Sequence, residues 1–147
     1  MAGGKKRTLW QVLLRVGFLL YVAAMVWLLF GQRWGAELQR SVNLKPFVTV
    51  RLYWKLLHGT SESLQLHAFI NLVGNVVMFI PLGFFQPYLM TKLRSWYKTL
   101  LTTTALILLV EIVQYVTCLG SCDIDDLILN LVGAMFGYIL WRITRKK

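Results

Sequence analysis

The stretch CDIDDLILNLVGAMFGYILW, residues 122–141, sets three carboxylates within four residues directly before a helix-length apolar run. Asp123, Asp125 and Asp126 are half of the six acidic residues in this chain of 147. The run that follows contains an amide, Asn130, among apolar side chains. Because charged and amide groups are costly in lipid, this pattern predicts a membrane span whose polar residues face other protein, water or a ligand.

The composition of the whole chain is that of an integral membrane protein. Hydrophobic residues make up 57% of the chain and charged residues 15%, which is outside the range of an ordinary soluble domain. A bilayer core of about 30 Å requires about 20 apolar residues in a helix. By this measure four spans are predicted, at residues 12–30, 67–85, 100–119 and 124–143. The predicted fold is an all-α, four-helix membrane bundle that forms a single domain over residues 1–147.

The net charge of +10 is interpreted as a record of membrane orientation. No nucleic-acid partner is predicted, because the basic residues lie beside apolar runs and do not alternate with an exposed aromatic face. Eleven of the sixteen Lys and Arg flank the spans on the side of the two termini, and five lie in the loop at 31–66. We therefore predict a multi-pass protein of the cell membrane with both termini cytoplasmic and with this loop facing outward.

The outward loop contains more than a linker. Residues 43–47, NLKPF, have the composition of a turn. Residues 51–58, RLYWKLLH, mix aromatic and basic side chains in the way that is typical of a helix lying in the membrane interface.

Each of the last three spans carries a polar stripe. The paired residues lie three or four positions apart, so that they share a helix face. They are Asn71 with Asn75, Glu111 with Gln114, and Asp126 with Asn130. All three stripes fall in the outward halves of their spans on the predicted orientation. We therefore expect them to face one another and to form an acidic, amide-lined pocket that opens to the cell exterior.

Structural packing is the alternative interpretation of these polar residues. Amide hydrogen bonds commonly join membrane helices, and for Asn71, Asn75 and Gln114 packing and function are equally favoured. For Glu111 and Asp126 a functional role is favoured, because an acid is a costly way to join helices. The GAMFG segment at 133–137 predicts close helix approach on the Asn130 side.

Other classes of site have weaker patterns. No metal or other cofactor is predicted, because the chain has no HxxxH or HExxH spacing and no phosphate-binding glycine loop. His67 near the acids keeps a divalent metal open as an alternative. Cys118 and Cys122 either form a disulfide or serve as small apolar residues. No nucleophilic site that pairs a serine or cysteine with a histidine is recognised.

Several of these motifs occur in a familiar order. They are NLKPF at 43–47, NLVGNVVMFIPLGF at 71–84, EIVQ at 111–114 and DIDD at 123–126, followed by Asn130 and Gly133. The series resembles that of the VanZ-like family, over residues 43–138 of this chain. The resemblance implies a small polytopic membrane protein and a role related to low-level resistance to the glycopeptide teicoplanin.

The favoured hypothesis is envelope protection against glycopeptides, with membrane lipids and a glycopeptide or cell-wall precursor as partners at the outer leaflet. The residues expected to contact the ligand are Asn43, Asn71, Asn75, Gln114, Asp123 and Asn130. The main alternative is a membrane-embedded enzyme that uses Glu111 and Asp126 as an acid/base pair on a lipid headgroup. A small transporter is the second alternative, for which a homodimer would supply eight spans.

Overall fold

The computed structural model describes residues 2–31, 42–119 and 122–145. Within these ranges the chain forms five α-helices and one pair of two-residue strands. The helices are α1 (Ala2–Phe30), α2 (Val48–Leu57), α3 (Glu62–Leu89), α4 (Trp96–Thr117) and α5 (Ile124–Arg145). The strands are β1 (Val42–Asn43) and β2 (Cys122–Asp123).

Four of these helices are long and apolar enough to cross a membrane, which confirms the predicted all-α membrane fold. The candidate spans are Gln11–Phe30, Glu62–Leu89, Trp96–Thr117 and Ile124–Arg145. The short helix α2 confirms the helix predicted in the loop between the first two spans. The number of actual crossings and the orientation of the termini stay predictions.

The second span is longer than its apolar pattern indicates. Helix α3 has 28 residues and continues through Pro81 and Pro87. At 1.5 Å per residue it is about 42 Å long, which exceeds the hydrocarbon thickness of about 30 Å. The helix therefore extends beyond the apolar residues from which its length was predicted.

The chain divides into two compact units, Met1–Trp34 and Gly35–Lys147. The first contains α1, whose apolar side chains, such as Leu19 and Leu20, are exposed. Exposed apolar residues over the length of a span are typical of a surface that contacts lipid. The predicted single domain stays a prediction, and the site described below lies in the second unit.

Helices α3 and α5 pack backbone to backbone. A Cβ at Gly133 would overlap the carbonyl oxygen of Val76, and one at Gly137 would overlap that of Ile80. Gly83 makes the reciprocal contact with the backbone of α5. This confirms the close approach predicted from residues 133–137. Both contacts advance by four residues along each helix, so α3 and α5 run in the same direction.

Helix α4 runs antiparallel to α5. Just before the start of α4, the carbonyl of Arg94 accepts a hydrogen bond at 3.0 Å from the hydroxyl of Tyr138, which lies near the end of α5. Near the end of α4, the Asp123 N–H donates to Oε2 of Glu111 at 3.2 Å. The unit therefore has two opposite ends. We call the one with Glu111, Asp123, Asp125 and Asp126 the acidic end, and the one with Arg94, Arg142 and Arg145 the basic end.

Candidate functional site

The two short strands connect different segments of the chain at the acidic end. β1 and β2 pair in parallel, with Val42 opposite Cys122 and Asn43 opposite Asp123. The Asn43 amide donates to Oδ1 of Asp123 at 3.1 Å and to Oγ1 of Thr49 at 3.1 Å. These contacts attach the segment before α2 to the start of α5.

Asp125 supplies the N-terminal cap of α2 from a different helix. Its carboxylate accepts the backbone N–H groups of Phe47 at 2.5 Å, Thr49 at 2.8 Å and Val50 at 3.0 Å. Helix α2 begins after Phe47 and has no side-chain cap of its own. The first N–H groups of a helix need acceptors and attract negative charge, and the fully buried Asp125 meets both requirements.

Asp123 completes the same network. Its Oδ2 accepts the Thr49 hydroxyl at 2.5 Å, and its Oδ1 accepts the Asp125 N–H at 2.9 Å. We call Asn43, Thr49, Asp123 and Asp125 the α2 latch. The predicted site residues Asn43 and Asp123 therefore make hydrogen bonds that hold α2 against α5, and ligand contact by either residue stays a prediction.

A second contact joins the acidic ends of α3 and α5. The Asn75 amide donates to Oδ1 of Asp126 at 2.7 Å, and both residues are half-buried. The structure thus brings together two of the residues that the polar stripes predict to face each other. Asp126 is the most exposed carboxylate of the acidic end, since Glu111, Asp123 and Asp125 are exposed by only 5%, 7% and 0%.

Helix α4 contributes Glu111 and Gln114, which are both buried. Glu111 reaches the start of α5 through the hydrogen bond from the Asp123 N–H. The acidic end therefore combines polar groups from the segment before α2 and from α3, α4 and α5. A carboxylate and an amide together accept and donate hydrogen bonds, so this set can bind a polar ligand.

Two of the predicted site residues lie apart from these contacts. The Asn71 amide donates to the carbonyl of His67, one turn earlier in its own helix, at 2.8 Å. Asn130 is 4% exposed, and its buried Oδ1 has no hydrogen-bond partner among the residues that the structure describes. The part of either residue in ligand binding stays a prediction.

His67, Cys118 and Cys122 were considered above for metal binding or a disulfide, and the structure shows neither arrangement among the residues that it describes. The His67 ring stands edge-on to Tyr53 of α2, with centroids 6.0 Å apart. Cys118 and Cys122 are free thiols. Burial, and then the negative charges of Glu111 and Asp123, raise the pKa of the Cys122 thiol. Within residues 2–31, 42–119 and 122–145, no group of three or more His, Cys, Asp or Glu side chains is placed to hold a metal ion.

Sequence reasoning did not identify Thr49 and Asp125 as parts of this network. A signal was present, because Phe47 precedes a helix and is not a residue that caps one. A helix start without a local cap requires an acceptor from elsewhere in the chain. The sequence gives no indication of which of the three clustered aspartates supplies it.

The comparisons with known proteins agree with the architecture. The sequence model of the VanZ/LLP1 family matches residues 16–145. Protein VanZ from Enterococcus faecium is 28% identical over 142 residues, which are 92% of this chain and 78% of that protein. No solved structure matches the chain.

Proposed function

Because this chain belongs to the VanZ/LLP1 family, we propose that it protects the cell envelope against teicoplanin-type glycopeptides. In this proposal the acidic end faces outward and binds a polar ligand at the outer leaflet. The ligand is the glycopeptide itself or a cell-wall precursor. The membrane fold and the similarity to protein VanZ support the proposal.

The hydrogen bond between Asn75 and Asp126 is the observation that carries the proposal. It joins two span-length helices and is half-buried, so a ligand that enters between them can reach both side chains. Glycopeptides carry amine, amide and hydroxyl groups, all of which donate hydrogen bonds to a carboxylate. Asp126 would accept such a donor, and Asn75 would orient Asp126.

The test compares the two amides of the α3 stripe in a glycopeptide-susceptible host. Asn75→Ala removes the donor to Asp126, and protection against teicoplanin should fall to that of cells without the protein. Asn71→Ala tests the second amide separately: the Asn71 amide bonds to its own helix, so its loss leaves the Asn75–Asp126 contact in place, and any loss of protection would come from the predicted ligand contact of Asn71 itself. Immunoblots of membranes would verify equal amounts of both variants. Full protection by Asn75→Ala would contradict the proposal.

A membrane-embedded enzyme is the second candidate, and the burial of Glu111 favours it because buried carboxyls are suited to proton transfer. Glu111→Gln keeps an acceptor for the Asp123 N–H but exchanges no proton. An acid/base enzyme should lose about a hundredfold or more in rate. A binding protein should keep most of its protection, which is the outcome that our proposal predicts. Loss of protection at a normal membrane level would favour the enzyme.

A further inference from the structure

The basic end has an open surface cavity of about 550 Å³ at the junction of α4 and α5. Three arginines line it, Arg94 before α4 and Arg142 and Arg145 in the last turn of α5. Ser95 and four aromatic residues, with Trp96 and Trp141 among them, form the remainder of the wall. The cavity is thus both cationic and aromatic, and it lies at the opposite end of the unit from the predicted site.

The floor of this cavity is firmly held. Tyr138 and Trp141 are each 5% exposed, and their ring centroids lie 5.5 Å apart. The Tyr138 hydroxyl donates to the Arg94 carbonyl, which fixes the segment before α4 against α5. The Thr99 hydroxyl donates to the Leu93 carbonyl at 2.8 Å and holds the same segment against the first turn of α4. The arginines therefore project from fixed backbone positions.

The three arginines lack an anionic partner within the part of the chain that the structure describes. Arg94 makes one long hydrogen bond, from Nε to the Pro87 carbonyl at 3.5 Å. The guanidinium of Arg145 lies 5.4 Å from the centre of the Trp141 ring. Neither contact neutralises charge, and the described acidic residues lie toward the other ends of α4 and α5 or at the start of α3. An anion that occupies the cavity must therefore come from outside the described chain.

The N-terminus of α4 adds donors at the same place. The first intrahelical bond is that of the Thr99 N–H to the Ser95 carbonyl, and Ser95 makes no side-chain cap. Ser95, Trp96 and Tyr97, which begin α4, line the cavity, so the start of this helix lies beside the arginines. Guanidinium groups together with the amides of a helix start are a combination that binds phosphate.

The position of the cavity indicates the source of the phosphate. Helices α4 and α5 have 22 residues each, or about 33 Å, which matches a hydrocarbon core of about 30 Å. Trp96 and Tyr97 at the rim are 55% and 47% exposed, as aromatic residues at the membrane interface are. The cavity thus lies at the level where lipid phosphates lie. We propose that the basic end binds the phosphate of an anionic phospholipid.

The test measures lipid retention by the full-length protein. Protein in micelles with equal amounts of phosphatidylglycerol and phosphatidylcholine would be examined by native mass spectrometry. Wild type should retain phosphatidylglycerol in preference, by roughly tenfold to a hundredfold, since each arginine near a lipid phosphate contributes to binding. Replacing Arg94, Arg142 and Arg145 together by Gln should abolish that preference.

The matched control removes the same charge from the acidic end. Lys45, Arg51 and Lys55 are exposed, and their joint replacement by Gln should leave the preference intact. An equal loss in both variants would show that net charge alone attracts the lipid, and would overturn the proposal. If the triple variant is not recovered folded, Arg142→Gln alone should reduce the preference by roughly fivefold.

A second arm distinguishes a lipid from a soluble phosphate. Inorganic phosphate and glycerol 3-phosphate at millimolar concentration should not displace the retained phosphatidylglycerol. Displacement by either would assign the cavity to a soluble phosphate and overturn the lipid proposal.

Discussion

The charged side chains at the acidic and basic ends of the unit differ in how many partners they have within the protein. At the acidic end, Asp123 and Asp125 each accept three hydrogen bonds from the chain itself. At the basic end, Arg94 has one long hydrogen bond and Arg145 one aromatic contact. Charge at the acidic end therefore holds the fold together to a large extent, whereas charge at the basic end is open to an external anion.

This comparison shows that clustered charge is not by itself a site. Among the aspartates at the start of α5, Asp125 accepts the N–H groups that begin α2. Asp123 accepts the Thr49 hydroxyl within the α2 latch. Asp126 faces Asn75 across the α3–α5 interface and keeps some exposure. Two adjacent carboxylates are thus expected to serve different purposes, with Asp125 for stability and Asp126 for binding.

Cysteine labelling in intact cells should give the largest difference between the two ends, because it reports which end faces the exterior. The uneven distribution of basic residues predicts that the acidic end is exterior. In a variant without native cysteines, a cysteine in place of Ser61 at the start of α3 should react with a membrane-impermeant thiol reagent in intact cells. One in place of Ser95 at the basic end should not. Reaction at Ser95→Cys but not at Ser61→Cys would reverse the assignment of the two ends.

The next effect tests the helix contact that connects the two ends. Gly133→Ala places a methyl group against the Val76 carbonyl and should destabilise the protein by at least about 2 kcal/mol, because the backbones must separate. Gly74→Ala is the control, since its nearest neighbour is the Ile70 side chain at 4.0 Å. It should be neutral or slightly stabilising. Denaturant unfolding in detergent measures both, and equal stability of the two variants would refute the close contact.

The smallest effect concerns the electrostatics of the acidic end. Because burial and the charges of Glu111 and Asp123 raise the pKa of the Cys122 thiol, its reactive thiolate forms only at higher pH than in an ordinary thiol. In a Cys118→Ser background, alkylation by iodoacetamide should accelerate only at a higher pH than it does for an ordinary thiol, whose pKa is about 8.5. Glu111→Gln removes one negative charge, so the rate profile should move to lower pH. An unchanged profile would place Glu111 too far from Cys122 to act on it.

The fold was predictable from the sequence to a greater extent than the site was. Apolar runs of about 20 residues predict membrane-spanning helices directly, because a helix of that length is needed to cross the bilayer core. The glycines at 133 and 137 likewise indicated close packing correctly. Helical spacing placed Asn75 and Asp126 on facing stripes, and the structure joins them.

The α2 latch was not predictable in the same way. It depends on contacts between residues that are 74 to 80 positions apart, such as those of Thr49 and Asn43 with Asp123. Spacing within one helix contains no information on such pairs. Likewise, Asn71 and Asn75 are equivalent by spacing, but their amides bond to different helices, which only the packing of α3 against α5 decides.

The different purposes of Asp125 and Asp126 can be measured most directly by substituting each with Asn and recording both stability and teicoplanin protection. Asp125→Asn should cost at least about 2 kcal/mol of unfolding free energy, because backbone N–H groups lose a charged acceptor. Asp126→Asn should change stability by less than about 1 kcal/mol, since the amide oxygen still accepts the Asn75 hydrogen bond between the membrane helices. We predict that Asp126→Asn protein accumulates normally in the membrane but gives no protection. Full protection by Asp126→Asn would contradict the account.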